Sequence, residues 1–247
     1  MMKPFLILQL RPINLASNDE FTAFLKYGGL KEHEVHRVRM EKEKVPEINL
    51  SDYSGIIIGG GPSNVSDAEE KKPDYQKRFE KELNSLLNKV FEEDFPVFGN
   101  CYGLGAIVKY QGGEVSKEKY SEEIGAVEIK LTEAGKNDDL LTGLPDKFIA
   151  YGGHNEACQN LPDGAILLAS SDNCPIQMIR FGKNMYASQF HTELDAEGIL
   201  IRIDIYRNHG YFSPEDIDTI KKNTKDHHVI FPFKILRKFI QKYKQED

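Results

Sequence analysis

The chain has 247 residues, of which 40% are hydrophobic and 29% are charged, and its formal net charge is −7. This composition excludes a collagen, a coiled coil and long disorder, and the length predicts one large domain or one domain with an appendage. An acidic chain without a basic block also argues against a nucleic-acid partner.

The first half of the chain predicts strands that alternate with helices. Short apolar runs predict buried strands at residues 5–8, 55–58 and 96–98, and a further strand fits residues 34–38. Ser17 and Glu20 have the spacing of a capping box and predict the start of the first helix, which Gly28 and Gly29 end. A long helix is predicted over residues 74–91. Buried strands separated by helices indicate an α/β fold with a parallel sheet covered on both faces.

The second half predicts a strand-rich region that packs on the first half and does not form a separate domain. Its strands are predicted at residues 125–131, 165–169, 176–180 and 185–190. Partial alternation of apolar and charged residues in the first of these is typical of an antiparallel strand. A helix follows at residues 196–208, Ser213 and Pro214 have the pattern of another helix start, and a last helix covers residues 232–243.

The last segment differs from the rest in charge. Residues 221–247 carry eight Lys or Arg against three Asp or Glu, a net charge of +5, so residues 1–220 carry −12. A basic amphipathic helix can bind a membrane or a partner protein. We favour the simpler interpretation, in which this is the solvated face of a docked helix.

The cysteines and the amino-terminal segment predict a reducing, cytoplasmic location. Cys101, Cys158 and Cys174 lack metal-site or disulfide-framework spacing, so we expect no metal site. The apolar run at residues 1–10 is too short for a secretory signal or a membrane span. No phosphate-binding loop or dinucleotide motif is visible, and we expect no cofactor.

The sharpest motif is Phe-Gly-Asn-Cys-Tyr-Gly at residues 98–103, which directly follows a predicted strand. It has the pattern of a nucleophile elbow with Cys101 as the nucleophile. Gly99 and Gly103 relieve the tight turn, and the backbone N–H of Tyr102 would face a developing oxyanion. The alternative is a structural cysteine that follows a strand.

Two further motifs suit the same chemistry. His191 and Glu193 lie two residues apart, so in extended chain Glu193 could orient the imidazole of His191 as a base for a thiol. The run Gly59-Gly60-Gly61 could supply backbone N–H groups to an oxyanion. Taken alone, a His-x-Glu motif is more often a surface pair, and a run of glycines is more often an ordinary turn.

Together, the motifs resemble those of the class I glutamine amidotransferases, most closely the glutaminase domain of GMP synthase and its stand-alone relatives. The similar segments span about residues 50–200 in the same order: 55–62, 96–103, 153–156 (Gly-His-Asn-Glu) and 189–193 (Gln-Phe-His-Thr-Glu). Residues 206–212, followed by Pro214 and Glu215, resemble the extension of stand-alone members.

The resemblance implies a three-layer, flavodoxin-like α/β/α sandwich with antiparallel additions to a mostly parallel sheet. The family domain would cover residues 1–204, and a helical extension, residues 205–247, would pack on it. The resemblance further implies that Cys101 attacks the side-chain amide of glutamine, that His191 acts as the base, and that Glu193 orients His191. The implied oxyanion hole is Gly61 and Tyr102, and the implied substrate-binding residues are Gly60, Gly61, Gly103, Gly105 and His154.

The resemblance also implies glutamine as substrate and a separate synthase that accepts the ammonia, and it leaves a homo-oligomer open. Three positions depart from the family pattern: Gly105 replaces Gln, Thr192 replaces Pro and Asn155 replaces Gly. Because Gly105 would leave room, the substrate could instead be another γ-glutamyl amide or peptide. A third alternative is a binding or regulatory module with little catalysis.

Overall fold

A computed structural model describes residues 2–207, 214–225 and 227–246. The strands are β1 (Phe5–Gln9), β2 (Val35–Arg39), β3 (Gly55–Ile58), β4 (Val97–Asn100), β5 (Val115–Ser116), β6 (Glu122–Leu131), β7 (Lys147–His154), β8 (Ala157–Cys158), β9 (Ala165–Ser170), β10 (Met178–Phe181) and β11 (Met185–Ser188). The helices are α1 (Asn14–Gly28), α2 (Asp74–Glu93), α3 (Tyr102–Tyr110), α4 (Glu133–Lys136), α5 (Ala196–Tyr206), α6 (Ile217–Lys225) and α7 (Phe231–Tyr243).

Nine strands form one mixed sheet in the order β2-β1-β3-β4-β11-β10-β9-β6-β7. The first five strands in this order, β2, β1, β3, β4 and β11, run parallel to one another. Beyond β11, each successive strand, β10, β9, β6 and β7, runs antiparallel to the one before it. The expected sandwich around a mostly parallel sheet with antiparallel additions is therefore confirmed. In open sheets of this kind, functional groups gather at the carboxyl ends of the parallel strands.

Side chains of the central strands alternate between two hydrophobic cores. In β1, Leu6 and Leu8 point to the core under α2 and α3, whereas Phe5 and Ile7 point to the core under α1 and α7. This alternation follows from the two-residue period of a strand. A third, smaller core under α5 and α6 covers the antiparallel part of the sheet.

Helix α7 packs its apolar side into the sheet and turns its basic side outward. The ring of Phe239 is completely buried and contacts Phe98 of β4 at a centroid distance of 5.5 Å. On the outer side, Lys242 pairs with Asp139 at 2.7 Å. The positive charge of Lys242 therefore faces an acidic group of the body. No helix among the described residues is long and apolar enough to cross a membrane.

The predicted capping box at Ser17 and Glu20 is wrong. Helix α1 begins three residues earlier, at Asn14, and both side chains are completely buried within it. Glu20 binds Arg11, and Ser17 binds Gln9, so tertiary partners take the side chains that a cap would use.

The boundaries of most other elements differ from the predictions by a few residues, and β3 coincides with its predicted strand. Strand β7 was not predicted, because its sequence contains two glycines and no clear alternation. The predicted helix end at Asn208, the predicted cap at Ser213 and most of the tail motif at 206–212 lie outside the described residues. The division of the chain at residue 204 stays a prediction.

Candidate active site

Cys101 occupies a sharp turn between β4 and α3. Its φ angle is 51°, in the left-handed region that a side chain rarely adopts. A Cβ at Gly99 would lie 2.7 Å from the backbone of Gly103, and one at Gly103 would lie 2.9 Å from the carbonyl oxygen of Ile58. Both flanking glycines are therefore required by close backbone contact, as in a nucleophile elbow.

The thiol of Cys101 is partly buried among polar groups. Burial raises its pKa to about 11, although the Arg11 guanidinium and the backbone N–H of Tyr102 oppose this effect. The side-chain amide of Gln189 donates to Sγ at 3.8 Å. A thiol with so high a pKa is mostly protonated near neutral pH, so it would need a base before it could act as a nucleophile.

His191 and Glu193 form a buried pair directly after β11. Nδ1 of His191 lies 2.9 Å from Oε1 of Glu193. Burial would raise the pKa of Glu193, but His191, Arg202 and Arg11 together hold it well below its ordinary value. Burial lowers the pKa of His191, with Glu193 opposing and the two arginines adding to the lowering. The pair is thus a carboxylate and a neutral imidazole, which suits a base.

Thr192 joins the elbow to the loop that carries His191. The backbone N–H and the hydroxyl of Thr192 both donate to Oδ1 of Asn100, at 3.2 and 2.7 Å. Asn100 is the residue immediately before Cys101. A proline at position 192 would offer neither donor, so this departure from the family pattern has a structural role here.

The glycine loop after β3 packs against His191. A Cβ at Gly60 would lie 2.5 Å from Cε1 of His191 and 3.1 Å from Nη2 of Arg11. A Cβ at Gly61 would lie 2.5 Å from the side chain of Leu10. The absence of a side chain at Gly60 lets the loop backbone approach His191 and Arg11.

Two small pockets meet at Cys101. The first, of about 50 Å³, is here called the arginine pocket; its lining includes Arg11, Gly61, Cys101, His191 and Arg202. The second, of about 20 Å³, is called the glycine pocket; its lining includes Gly61, Cys101, Tyr102, Gly105 and His154. Cys101 and His191, which the sequence separates by 90 residues, therefore face one pocket, with Glu193 bound to the far side of the imidazole.

Two of the predicted substrate contacts lie in settings that sequence reasoning did not anticipate. The space beside Gly105 is occupied: a Cβ there would lie 3.1 Å from Val65 and 3.5 Å from the carboxylate of Glu156. Gly105 nevertheless lines the glycine pocket, so room for another substrate at this position stays a prediction. His154 uses both ring nitrogens, one towards the carbonyl of Glu156 at 2.9 Å and the other towards Glu122 at 3.0 Å.

Three buried charged residues beside the site were missed by sequence reasoning: Arg11, Glu20 and Arg202. Each is at most 3% exposed. A usable signal existed for Arg202, which lies on the apolar side of α5 between Ile199 and Ile203. Among the described residues, no group of three or more His, Cys, Asp or Glu side chains could hold a metal ion.

Comparisons with known proteins identify the family of the chain. The sequence profile of the family described as "Glutamine amidotransferase class-I" matches residues 19–199. A subunit of the GMP synthase [glutamine-hydrolyzing] of Thermoplasma volcanium is 32% identical over 177 residues, which cover 68% of this chain and 80% of that protein. GMP synthase of Caldicellulosiruptor saccharolyticus is 37% identical over 155 residues, but the match spans only 26% of that protein and 62% of this chain.

Among solved structures, SMU.1228c superposes with a TM-score of 0.75 at 24% identity, covering 97% of this chain and 99% of that chain. A glutamine amidotransferase of Thermotoga maritima gives a TM-score of 0.72 at 19% identity, covering 98% of both chains. At this identity the likeness concerns the fold alone. The fold and the profile define an amidotransferase-type α/β protein. The chain belongs to the class I glutamine amidotransferase family.

Proposed function

We propose that the protein hydrolyses the side-chain amide of glutamine and releases ammonia. The observation that carries the proposal is the shared pocket of Cys101 and His191, with Glu193 bound to the far nitrogen of the imidazole. An elbow cysteine, a base and an orienting carboxylate are the parts that a thiol nucleophile needs. Family membership supports glutamine as the substrate.

In the first half of the reaction, Nε2 of His191 takes the thiol proton while Sγ of Cys101 attacks the amide carbon. The N–H groups of Gly61 and Tyr102 stabilise the negative charge that develops on the carbonyl oxygen. The C–N bond then breaks, and His191 returns the proton to the leaving nitrogen, which departs as ammonia. A glutamyl thioester remains on Cys101.

In the second half, His191 removes a proton from water as the water attacks the thioester. The C–S bond breaks, glutamate leaves, and the proton returns to the sulfur of Cys101. Glu193 accepts a hydrogen bond from Nδ1 throughout, so that Nε2 is the nitrogen that exchanges protons. No cofactor is needed for these steps.

The ammonia would be used by a separate synthase. One similar protein is itself one subunit of a GMP synthase, which supports this part of the proposal. A candidate synthase should raise the rate of glutamine hydrolysis when both proteins are mixed. Unchanged hydrolysis, together with no amination by the synthase, would count against that partner.

The direct test measures ammonia and glutamate released from glutamine. We expect Cys101→Ala to lower the rate by at least about a thousandfold. Cys174→Ala is the control, because Cys174 is also a free cysteine but does not line either pocket described above. Equal activity in both variants would refute the role of Cys101.

A panel of γ-glutamyl amides and peptides separates the alternatives. Hydrolysis of glutamine well above the other compounds supports the proposal. Preference for another γ-glutamyl compound would change the substrate but keep the mechanism. No hydrolysis of any compound, and no labelling of Cys101 by a glutamine-like electrophile, would favour a binding or regulatory module.

A further inference from the structure

We propose that Arg202 is a positioning residue that keeps His191 neutral at rest, and that Glu20 limits the positive charge which Arg202 and Arg11 exert on the site. The arginine–glutamate network is defined as Arg11, Glu20, Glu193 and Arg202. The inference depends on the proposed function only in giving His191 the role of base.

Arg202 and His191 share one carboxylate oxygen. Nη2 of Arg202 donates to Oε1 of Glu193 at 3.1 Å, and Nδ1 of His191 lies 2.9 Å from the same oxygen. Nη1 of Arg202 lies 3.3 Å from Nδ1 of His191. All three side chains are at most 7% exposed, so water screens these charges poorly.

The position of Arg202 affects each protonation state of His191 differently. When Nδ1 carries a proton and donates it to Glu193, the imidazole is neutral and Nε2 is free to act as a base. When both nitrogens are protonated, an imidazolium lies beside a guanidinium at 3.3 Å, and the two positive charges repel. Arg202 therefore disfavours a resting pair of thiolate and imidazolium.

Glu20 of α1 lies between the two arginines. Its Oε1 accepts from Nε of Arg11 at 2.7 Å and lies 4.0 Å from Nη2 of Arg202. Its other oxygen accepts from Gln9 at 2.8 Å. One completely buried carboxylate thus partly offsets two guanidinium charges beside the base.

The network also contacts the glycine loop. A Cβ at Gly59 would lie 2.9 Å from Oε2 of Glu20, and one at Gly60 would lie 3.1 Å from Nη2 of Arg11. The network therefore packs against the same loop that contacts His191. A change of charge within it reaches the base through direct contacts.

The charged and titratable groups that face His191 come from every element around it. Glu193 lies on its own loop, Arg202 on α5, Arg11 after β1 and Cys101 on the elbow. Asp19 of α1 faces Arg202, and burial raises the pKa of its carboxyl. Glu20 acts through the two arginines.

Two substitutions at these positions should move the pKa of His191 in opposite directions. Arg202→Gln removes a positive charge next to the imidazole, so protonation becomes easier and the pKa rises. Glu20→Gln removes the charge that offsets both arginines, so protonation becomes harder and the pKa falls. If Arg202 and Glu20 only contributed to packing, their substitutions would have no reason to shift the pKa of His191 in opposite directions.

The test is an NMR titration of the His191 imidazole in a Cys101→Ala background, which removes the coupling to the thiol. We expect Arg202→Gln to raise the pKa by at least about one unit, and Arg202→Lys to change it by less than about half a unit. Glu20→Gln should lower it by at least about half a unit. Arg207→Gln is the control, since Arg207 directly follows α5 and is exposed.

An unchanged or lowered pKa in a folded Arg202→Gln variant would overturn the proposal. So would shifts of the same sign in Arg202→Gln and Glu20→Gln. If Arg202→Gln does not fold, Glu20→Gln and Arg202→Lys decide, and an unchanged or raised pKa in Glu20→Gln refutes the idea. The titration requires no turnover, so a parent protein without glutaminase activity would refute the proposed function separately.

Discussion

Replacing Gly60 by alanine should displace the imidazole of His191, the proposed base. The new Cβ would lie 2.5 Å from Cε1 of His191, whereas ordinary carbon contacts are at about 3.5–4.0 Å. The imidazole or the loop must therefore move by about 1 Å. Glu193 holds the other side of the ring at 2.9 Å, so the ring cannot move without loosening that bond. A misplacement of this size lowers a rate by about a hundredfold, and the overpacking costs about 1–3 kcal/mol of stability.

The assay compares kcat for glutamine hydrolysis and urea unfolding in Gly60→Ala and in the parent protein. Gly152→Ala is a matched control: Gly152 also lines the arginine pocket, but its Cβ would meet no atom closer than 3.9 Å. We expect the control to keep kcat within about threefold, which corresponds to less than about 1 kcal/mol. A Gly60→Ala variant with the kcat of the parent would refute this account of the glycine loop.

Three further predictions concern the buried ring of Phe239, the hydrogen bond between Thr192 and Asn100, and the pH dependence of kcat/KM. Phe239→Ala should lower the free energy of unfolding by about 3–5 kcal/mol in urea melts, whereas the exposed neighbour Gln241→Ala should change it by less than about 0.5 kcal/mol; equal melts would contradict a buried role for α7. Thr192→Val removes the hydrogen bond from the hydroxyl to Asn100. We expect the free energy of unfolding to fall by about 1 kcal/mol, and kcat to fall at unchanged KM. An unchanged thermal melt would argue against a stabilising role for this bond. Burial and the two arginines lower the pKa of His191, so its imidazole stays neutral to lower pH. With His191 as the proposed base, kcat/KM should stay constant down to below about pH 6.5. A fall in kcat/KM that begins above neutral pH would contradict this expectation.

The sequence was most informative where a motif is local. The strand at 55–58 and the elbow at Cys101 were both predictable, because strand length, apolar character and flanking glycines are properties of adjacent residues. The pairing of His191 with Glu193 was predictable from their spacing. These features depend on few long-range contacts.

The surroundings of the site were not predictable in the same way. Glu20 has the spacing of a helix cap, and only the tertiary contact with Arg11 shows why it is buried inside α1 instead. The bond between Thr192 and Asn100 joins segments far apart in the chain. Similarly, the atoms that fill the space beside Gly105 come from other segments. Partners of this kind are set by the packing of the whole sheet, which no local pattern encodes.

The packing of α7 has a consequence for how the protein folds. Phe5 in the first strand contacts Phe239 in the last helix, and Lys3 donates to the carbonyl of Gln245 at 3.1 Å. Contacts between such distant parts of a chain raise its contact order, and loop closure over nearly the whole sequence slows folding. During synthesis, the face of β1 that packs on α7 stays incompletely covered until α7 has left the ribosome. Until then, the part of this apolar surface that α7 covers is exposed to other nascent chains and to chaperones.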